Sequence, residues 1–287
     1  MVFVNQFNRN FVIISFLTLL VLISSCGSNP RANLGDVKLT LKTMPDINII
    51  NEGKEFGILV EAENSGDFAT PISVCISDTR SPGAIPEGEA MCINNNLEAA
   101  NNNIPSKTKL SFGRQFVYDD VEVDSTSTII ASAEFDYSTE ASADLCIRGE
   151  EIKASECKIG ALKRTKGPIY ISSINIQNEV LEELNDLNII INIDEISDGI
   201  VLEDGVNFEV YLERSNAELE CSAEDGSLDG SLLKWDESKT KKVINCITSQ
   251  PINIGINDLY EDNLIVKLNY QYEVKVSKTL TIKNRAV

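Results

Sequence analysis

The 287-residue chain contains no histidine, one tryptophan and three methionines. Without an imidazole there is no Ser-His-Asp triad, no Cys-His pair and no His-ligated metal. Any catalysis would rest on carboxylates, hydroxyls, Lys or Tyr. Positive charge is scarce too: 25 Lys and Arg stand against 44 Asp and Glu, a net charge of −19. A surface of that sign repels phosphate, which excludes nucleic acid as a partner. There is no C-x-x-C, which together with the missing His removes structural zinc, and no N-x-[ST] sequon for an N-glycan. The main apolar run, Phe11 to Ile23, falls short of the roughly 17–25 residues that span a bilayer as a helix. What is present is ordinary for a folded protein: 43 % hydrophobic and 24 % charged residues. The length suggests about two domains.

That apolar run has the length of a secretory h-region, about 7–15 residues, and only Arg9 is charged ahead of it. It leads into Ser24, Ser25 and Cys26. Ile23-Ser24-Ser25-Cys26 resembles the lipobox of prokaryotic lipoproteins: an apolar residue, two small ones, then Cys. The resemblance implies cleavage before Cys26 and a diacylglycerol on its thiol. It also implies an exported protein held on the cell membrane or outer membrane and facing outward. Residues 1–25 are then a signal peptide, and 26–36, rich in Gly, Ser, Asn and Pro, a flexible tether. The acidic exported part is repelled by anionic headgroups, so attachment rests on the acyl chains, at about 0.8 kcal/mol per buried methylene.

Setting Cys26 aside leaves Cys75, Cys92, Cys146, Cys157, Cys221 and Cys246. An even number in an exported chain suggests disulfides, although order alone does not decide among 15 pairings. The simplest set joins sequence neighbours: Cys75–Cys92, Cys146–Cys157 and Cys221–Cys246.

The recurring pattern has period two. One face reads Val37, Leu39, Leu41; later Ile58, Val60, Ala62, then Ile72, Val74, Ile76. Ile129 to Tyr137 alternates with Ser132, Glu134 and Asp136, and Leu264 to Val276 alternates with Lys267, Asn269, Gln271 and Glu273. Strict alternation predicts strands with one wet and one buried face. Turn clusters such as Asn64-Ser65-Gly66-Asp67 and Ser197-Asp198-Gly199 separate them. Asn178–Leu187 is the main helical candidate. The pattern also repeats: SAEFDYSTEASADLCI, containing Phe135 and Tyr137, aligns without gaps on KLNYQYEVKVSKTLTI, containing Tyr270 and Tyr272. Upstream, ILVEAENSGD at 58–67 resembles IIINIDEISDG at 189–199. Two copies of one plan are expected, each ending in a hairpin opened by its paired aromatics. The break falls at Lys163–Pro168, giving domain one at 37–162 and domain two at 168–284.

The segment NEGKEFGILVEAENSGD, with a Gly turn at Gly53, an apolar strand at Phe56–Ala62 and Asn64-Ser65-Gly66, resembles the opening of CARDB (cell adhesion related) modules. These are immunoglobulin-like units of prokaryotic surfaces. The second half departs from the pattern at Asp194–Gly199, where Glu195 replaces the Asn. The resemblance implies an all-β chain of two tandem Ig-like β-sandwiches. It implies a role in extracellular contact or spacing and no activity.

Candidate sites are few. Asp120, Glu122 and Asp124 would share one face of a strand and so gather Ca²⁺, or else form a solvated edge. Asp225–Gly230 offers carboxylates without the spacing of a calcium hand and reads as a turn. Asn94–Asn103 reads as a disordered insertion or a recognition loop. Trp235 is either an exposed contact or a residue packed on the second half. No cofactor is expected, and calcium is the one cation that the acidic clusters would suit. The partners expected are the membrane, through the anchor, and an unidentified surface protein or glycan. A non-enzymatic binding, adhesion or scaffold module heads the functional readings. A subunit of an envelope assembly docking by strand addition and a carboxylate-based hydrolase are the alternatives.

Overall fold

A computed structural model describes residues 37–285 apart from 87–88, 150, 157–159, 178–186, 203–204, 216–217, 237–239, 250–254 and 256. The expected leader 1–25, the expected tether 26–36 with Cys26, Cys157 and nearly all of the helical candidate lie outside the described residues. Leu34–Val287 falls within one compact unit.

The described residues are all-β, with a single 3-10 turn at Ala154–Glu156 among them. In chain order the strands are β1 (Val37–Met44), β2 (Ile49–Asn51), β3 (Gly57–Asn64), β4 (Thr70–Asp78), β5 (Met91–Leu97) and β6 (Ser106–Ser111). Next come β7 (Ser125–Arg148), β8 (Lys163–Arg164), β9 (Ile169–Gln177), β10 (Asn188–Glu195), β11 (Ile200–Val201) and β12 (Val206–Leu212). The last are β13 (Leu219–Ala223), β14 (Leu228–Asp229), β15 (Leu232–Leu233), β16 (Lys241–Thr248) and β17 (Leu259–Lys283). They build a three-stranded sheet β1-β3-β6, a four-stranded sheet β13-β16-β10-β9, and a ten-stranded sheet whose main path is β14-β15-β12-β17-β7-β4-β5.

Two strands organise the molecule. β7 has 24 residues and β17 has 25, on the order of 80 Å each at the rise of an extended chain. They pair antiparallel along their whole length, from Ser125↔Ile282 to Arg148↔Leu259. The sequence pattern predicts a terminal hairpin in each half; the structure has these uninterrupted strands instead. The reason is local. Neither segment contains a Gly or Pro to turn the chain, and in β7 the alternation runs unbroken from Ser127 to Leu145. Every second residue from Ser127 to Ile147 is buried, while Glu134, Asp136 and Asp144 face outward.

The repeat register explains why the two strands meet. In the gapless alignment Asp136 matches Gln271, and in the sheet Asp136 sits opposite Gln271. Phe135 faces Tyr272 and Tyr137 faces Tyr270 on either side. The two copies are therefore joined by a local twofold at this point. Neighbouring strands follow the same plan. β4 pairs with the first part of β7 as β12 pairs with the first part of β17. The ladders β1-β3-β6 and β9-β10-β16 correspond likewise.

Only one face of the long sheet is covered by the other two. β1 packs against β17 and β7, and β9 packs against β7 and β17 further along. One contiguous core results, running from Ile58, Val60 and Ile76 through Phe135 and Tyr272 to Ile191, Ile244 and Val266. This layered arrangement is a β-sandwich in the general sense.

Candidate functional site

At the twofold, five aromatic rings form a chain. Phe68 meets Tyr137 edge-on with centroids 6.5 Å apart, Tyr137 meets Tyr270 at 6.1 Å, and Phe135 meets Tyr272 at 5.9 Å. The hydroxyls find partners at the rim of the core. Tyr137 donates to Lys166 O (3.3 Å), Tyr270 donates to Ile169 O (3.1 Å), and Tyr272 donates to Glu195 Oε1 (2.8 Å). Burial pushes the Tyr137 phenol up to about 12 and that of Tyr270 well above its ordinary value. These hydroxyls stay protonated and serve as hydrogen-bond donors.

Glu195 takes the place that Asn64 holds in the first copy, and the structure gives the exchange a reason. The Asn64 side chain donates to Phe68 O (2.8 Å) and Glu98 O (3.1 Å) and accepts from Gly66 N (2.8 Å). The Glu195 carboxylate can only accept, and its neighbours are donors: the Tyr272 hydroxyl and the Trp235 indole, whose Nε1–H donates to Oε2 at 2.9 Å. Trp235 is thus a partly buried clamp on the core rather than an open contact.

On the outward side of the same region lies a groove of about 460 Å³. Phe68, Thr70 and Pro71 form one wall. Asp136 and Ser138 of β7 and Asn269 and Gln271 of β17 line it together with Ala69, Tyr137 and Tyr270. Phe68 is 41 % exposed. The groove exists because β4 reaches β7 only as far as Ile72↔Phe135, and β8 resumes pairing with β7 only at Ala141↔Arg164. Between them Thr70 Oγ1 donates to Asp136 O (2.6 Å), while Thr165 N donates to Glu140 O (2.8 Å).

The carboxylates predicted as a calcium face are arranged differently. Asp119–Asp124 is not a strand: Asp120 has φ 53°, Val121 is buried and Val123 is exposed. The backbone turns because Glu52 Oε1 accepts the Val121 amide (2.9 Å) while the Val121 side chain enters the core. Asp124 accepts from Lys283 Nζ (2.6 Å) and from the Asn284 amide (3.0 Å). Among the described residues, no three His, Cys, Asp or Glu side chains are grouped to hold a metal ion. Asp225 accepts from the buried Lys242 (2.9 Å) and from Ser227 N (3.1 Å), within a turn where Gly226 and Gly230 have positive φ. Asn94–Leu97 belongs to β5, and the rest of the supposed insertion ends in a tight turn closed by Asn101 and Ile104.

Cys75 is joined to Cys92 and Cys221 to Cys246. In each bridge the two residues lie directly opposite one another on paired strands, and one of them is on an edge strand, β5 or β13. Cys146 is also disulfide-bonded; Cys157, its expected partner, lies outside the described residues.

Sequence reasoning singled out neither Phe68 nor the outward set Asp136, Ser138, Asn269 and Gln271. The repeat alignment held the one usable signal, since it matched Asp136 with Gln271. Comparison with models of known protein families finds no match, and no curated protein matches the sequence.

Proposed function

We propose that this chain is a lipid-anchored surface protein of the cell envelope with a non-enzymatic binding, adhesion or scaffold role. We read its body as two Ig-like sandwich halves in tandem, 37–162 and 168–284, similar to CARDB modules and sharing β7 and β17 across their boundary. The observation that carries the reading is the pair of cross-strand disulfides on edge strands. Such bridges persist in oxidising compartments, in agreement with a leader 1–25 that ends in Ile23-Ser24-Ser25 immediately before Cys26. The outward face along β7 and β17 is polar and supplies a contact surface. The acidic exterior keeps copies apart by repulsion. Mass spectrometry of the membrane fraction tests the anchor. A diacylglyceryl group on Cys26 is expected, and Cys26→Ala should move the protein to the soluble fraction. An unmodified Cys26 thiol in cells, or a mature terminus at another residue, overturns the reading.

A further inference from the structure

We propose that the groove beside Phe68 binds an uncharged saccharide. The sugar lays the apolar face of one ring on Phe68 and directs its hydroxyls to Asp136, Ser138, Asn269 and Gln271. The assignment rests on reading the body as an outward-facing binding module and names its ligand class.

Size is the first argument. A volume of about 460 Å³ lies in the range of small-molecule sites, roughly 300–1,000 Å³, and suits a mono- or disaccharide. Presentation is the second. The Phe68 ring is exposed, yet its position is held: the Asn64 carboxamide ties down the Phe68 carbonyl, and the ring meets Tyr137 edge-on. An aromatic surface held in place loses little conformational freedom when a ligand stacks on it.

The hydrogen-bonding groups give the third. Along the outward face several side chains are matched with one another. Lys275 pairs with Glu273 (2.6 Å), Lys267 with Glu140 (3.5 Å), Thr128 with Thr279 (3.1 Å), and Asn263 donates to Glu213 (3.2 Å). At the groove, Asp136 and Gln271 face each other across the strand pair, as do Ser138 and Asn269. Among the described residues no hydrogen bond or ion pair engages these four side chains. Asp136 offers acceptors, and the amides and the Ser hydroxyl offer both donors and acceptors. A sugar hydroxyl, which both donates and accepts, complements such a mixture.

Charge and backbone then exclude the competitors. The lining holds one carboxylate and no cation, so sulfated, phosphorylated or uronic ligands meet repulsion without a counter-charge. A peptide adding as a strand to β7 would need free backbone edges. The Asp136 carbonyl is already taken by Thr70, and the amide and carbonyl of Glu140 by Thr165.

The test is an array of immobilised oligosaccharides built from glucose, galactose, mannose and N-acetylhexosamines, with sulfated and uronic glycans alongside, probed with the full chain in mild detergent. The native chain is expected to retain at least one neutral glycan. Phe68→Ala and Gln271→Ala should each weaken that binding about tenfold or more, roughly the 1.4 kcal/mol that separates decades of affinity. Lys275→Ala, outside the groove, should leave binding unchanged, and circular dichroism should show every variant folded. Retention of no neutral glycan, binding confined to anionic glycans, or binding indifferent to the two groove variants overturns the assignment. Acylation of Cys26 is read separately. An acylated protein that binds no neutral glycan refutes the ligand and leaves the anchored module standing; a free thiol with groove-dependent binding does the reverse.

Discussion

Gly66 and Gly167 sit where the two copies meet, and neither tolerates a side chain. A Cβ at Gly66 would overlap the Tyr137 hydroxyl, and one at Gly167 would overlap the Thr139 methyl and crowd the rings of Tyr137 and Tyr270. Replacing either by Ala forces those rings to shift, at a cost of about 1–3 kcal/mol. Chemical denaturation should read this as a lower midpoint with an unchanged slope. Asp262 is the second informative residue. Burial pushes its carboxyl up, but bonds from the Tyr260 hydroxyl and the Arg214, Asn263 and Ser215 amides outweigh that and hold it below the ordinary value. A lowered carboxyl contributes stability above its unfolded value of about 3.9 and loses it as pH falls through the folded one. Asp262→Asn turns an acceptor toward donors into a mixed group and should cost about 1–3 kcal/mol at pH 7. In thermal melts from pH 7 to pH 2 the gap between native and variant should close at the acid end. A gap independent of pH would rule out this role for the carboxylate.

Among the elements, the strands were legible because alternation is a local property. Their partners were not, since the ladder Phe135↔Tyr272 joins residues more than a hundred positions apart. Asp119–Asp124 shows the converse. Its alternating acids imitate a strand, but Val121 is drawn into the core and Val123 left outside, a choice made by Glu52 and by packing far along the chain. The groove was hidden for the same reason, because Phe68, Asp136 and Gln271 come together only through the pairing of β4, β7 and β17. Edge strands are where pairing fails first, and both described bridges whose two cysteines are seen sit there. With 17 and 25 residues of sequence separation, each should contribute about 3 kcal/mol in the chain-entropy model. They differ in access: Cys92 is exposed, whereas Cys246 is fully buried. Titration with dithiothreitol on the native protein, read by alkylation and mass mapping, should open Cys75–Cys92 first. Simultaneous opening would mean that β5 and β13 are released together by global unfolding.

For the whole molecule the decisive feature is that neither copy owns its central strands. The far end of β17 completes the sheet beside β2, β4 and β7, and the far end of β7 runs beside β8 and the start of β17. Removing either copy would strip the other of a central strand and of the aromatic chain between them. A body of this kind couples its two copies through the β7–β17 ladder rather than through the Lys163–Pro168 segment alone. Differential scanning calorimetry of the disulfide-intact protein asks the question most directly, with Ile58→Ala in β3 and Leu268→Ala in β17, both fully buried positions at a cost of about 2–5 kcal/mol each. Shared strands predict one transition in all three proteins, moved downward as a whole by either substitution. Two transitions, each answering to only one of the substitutions, would contradict the account.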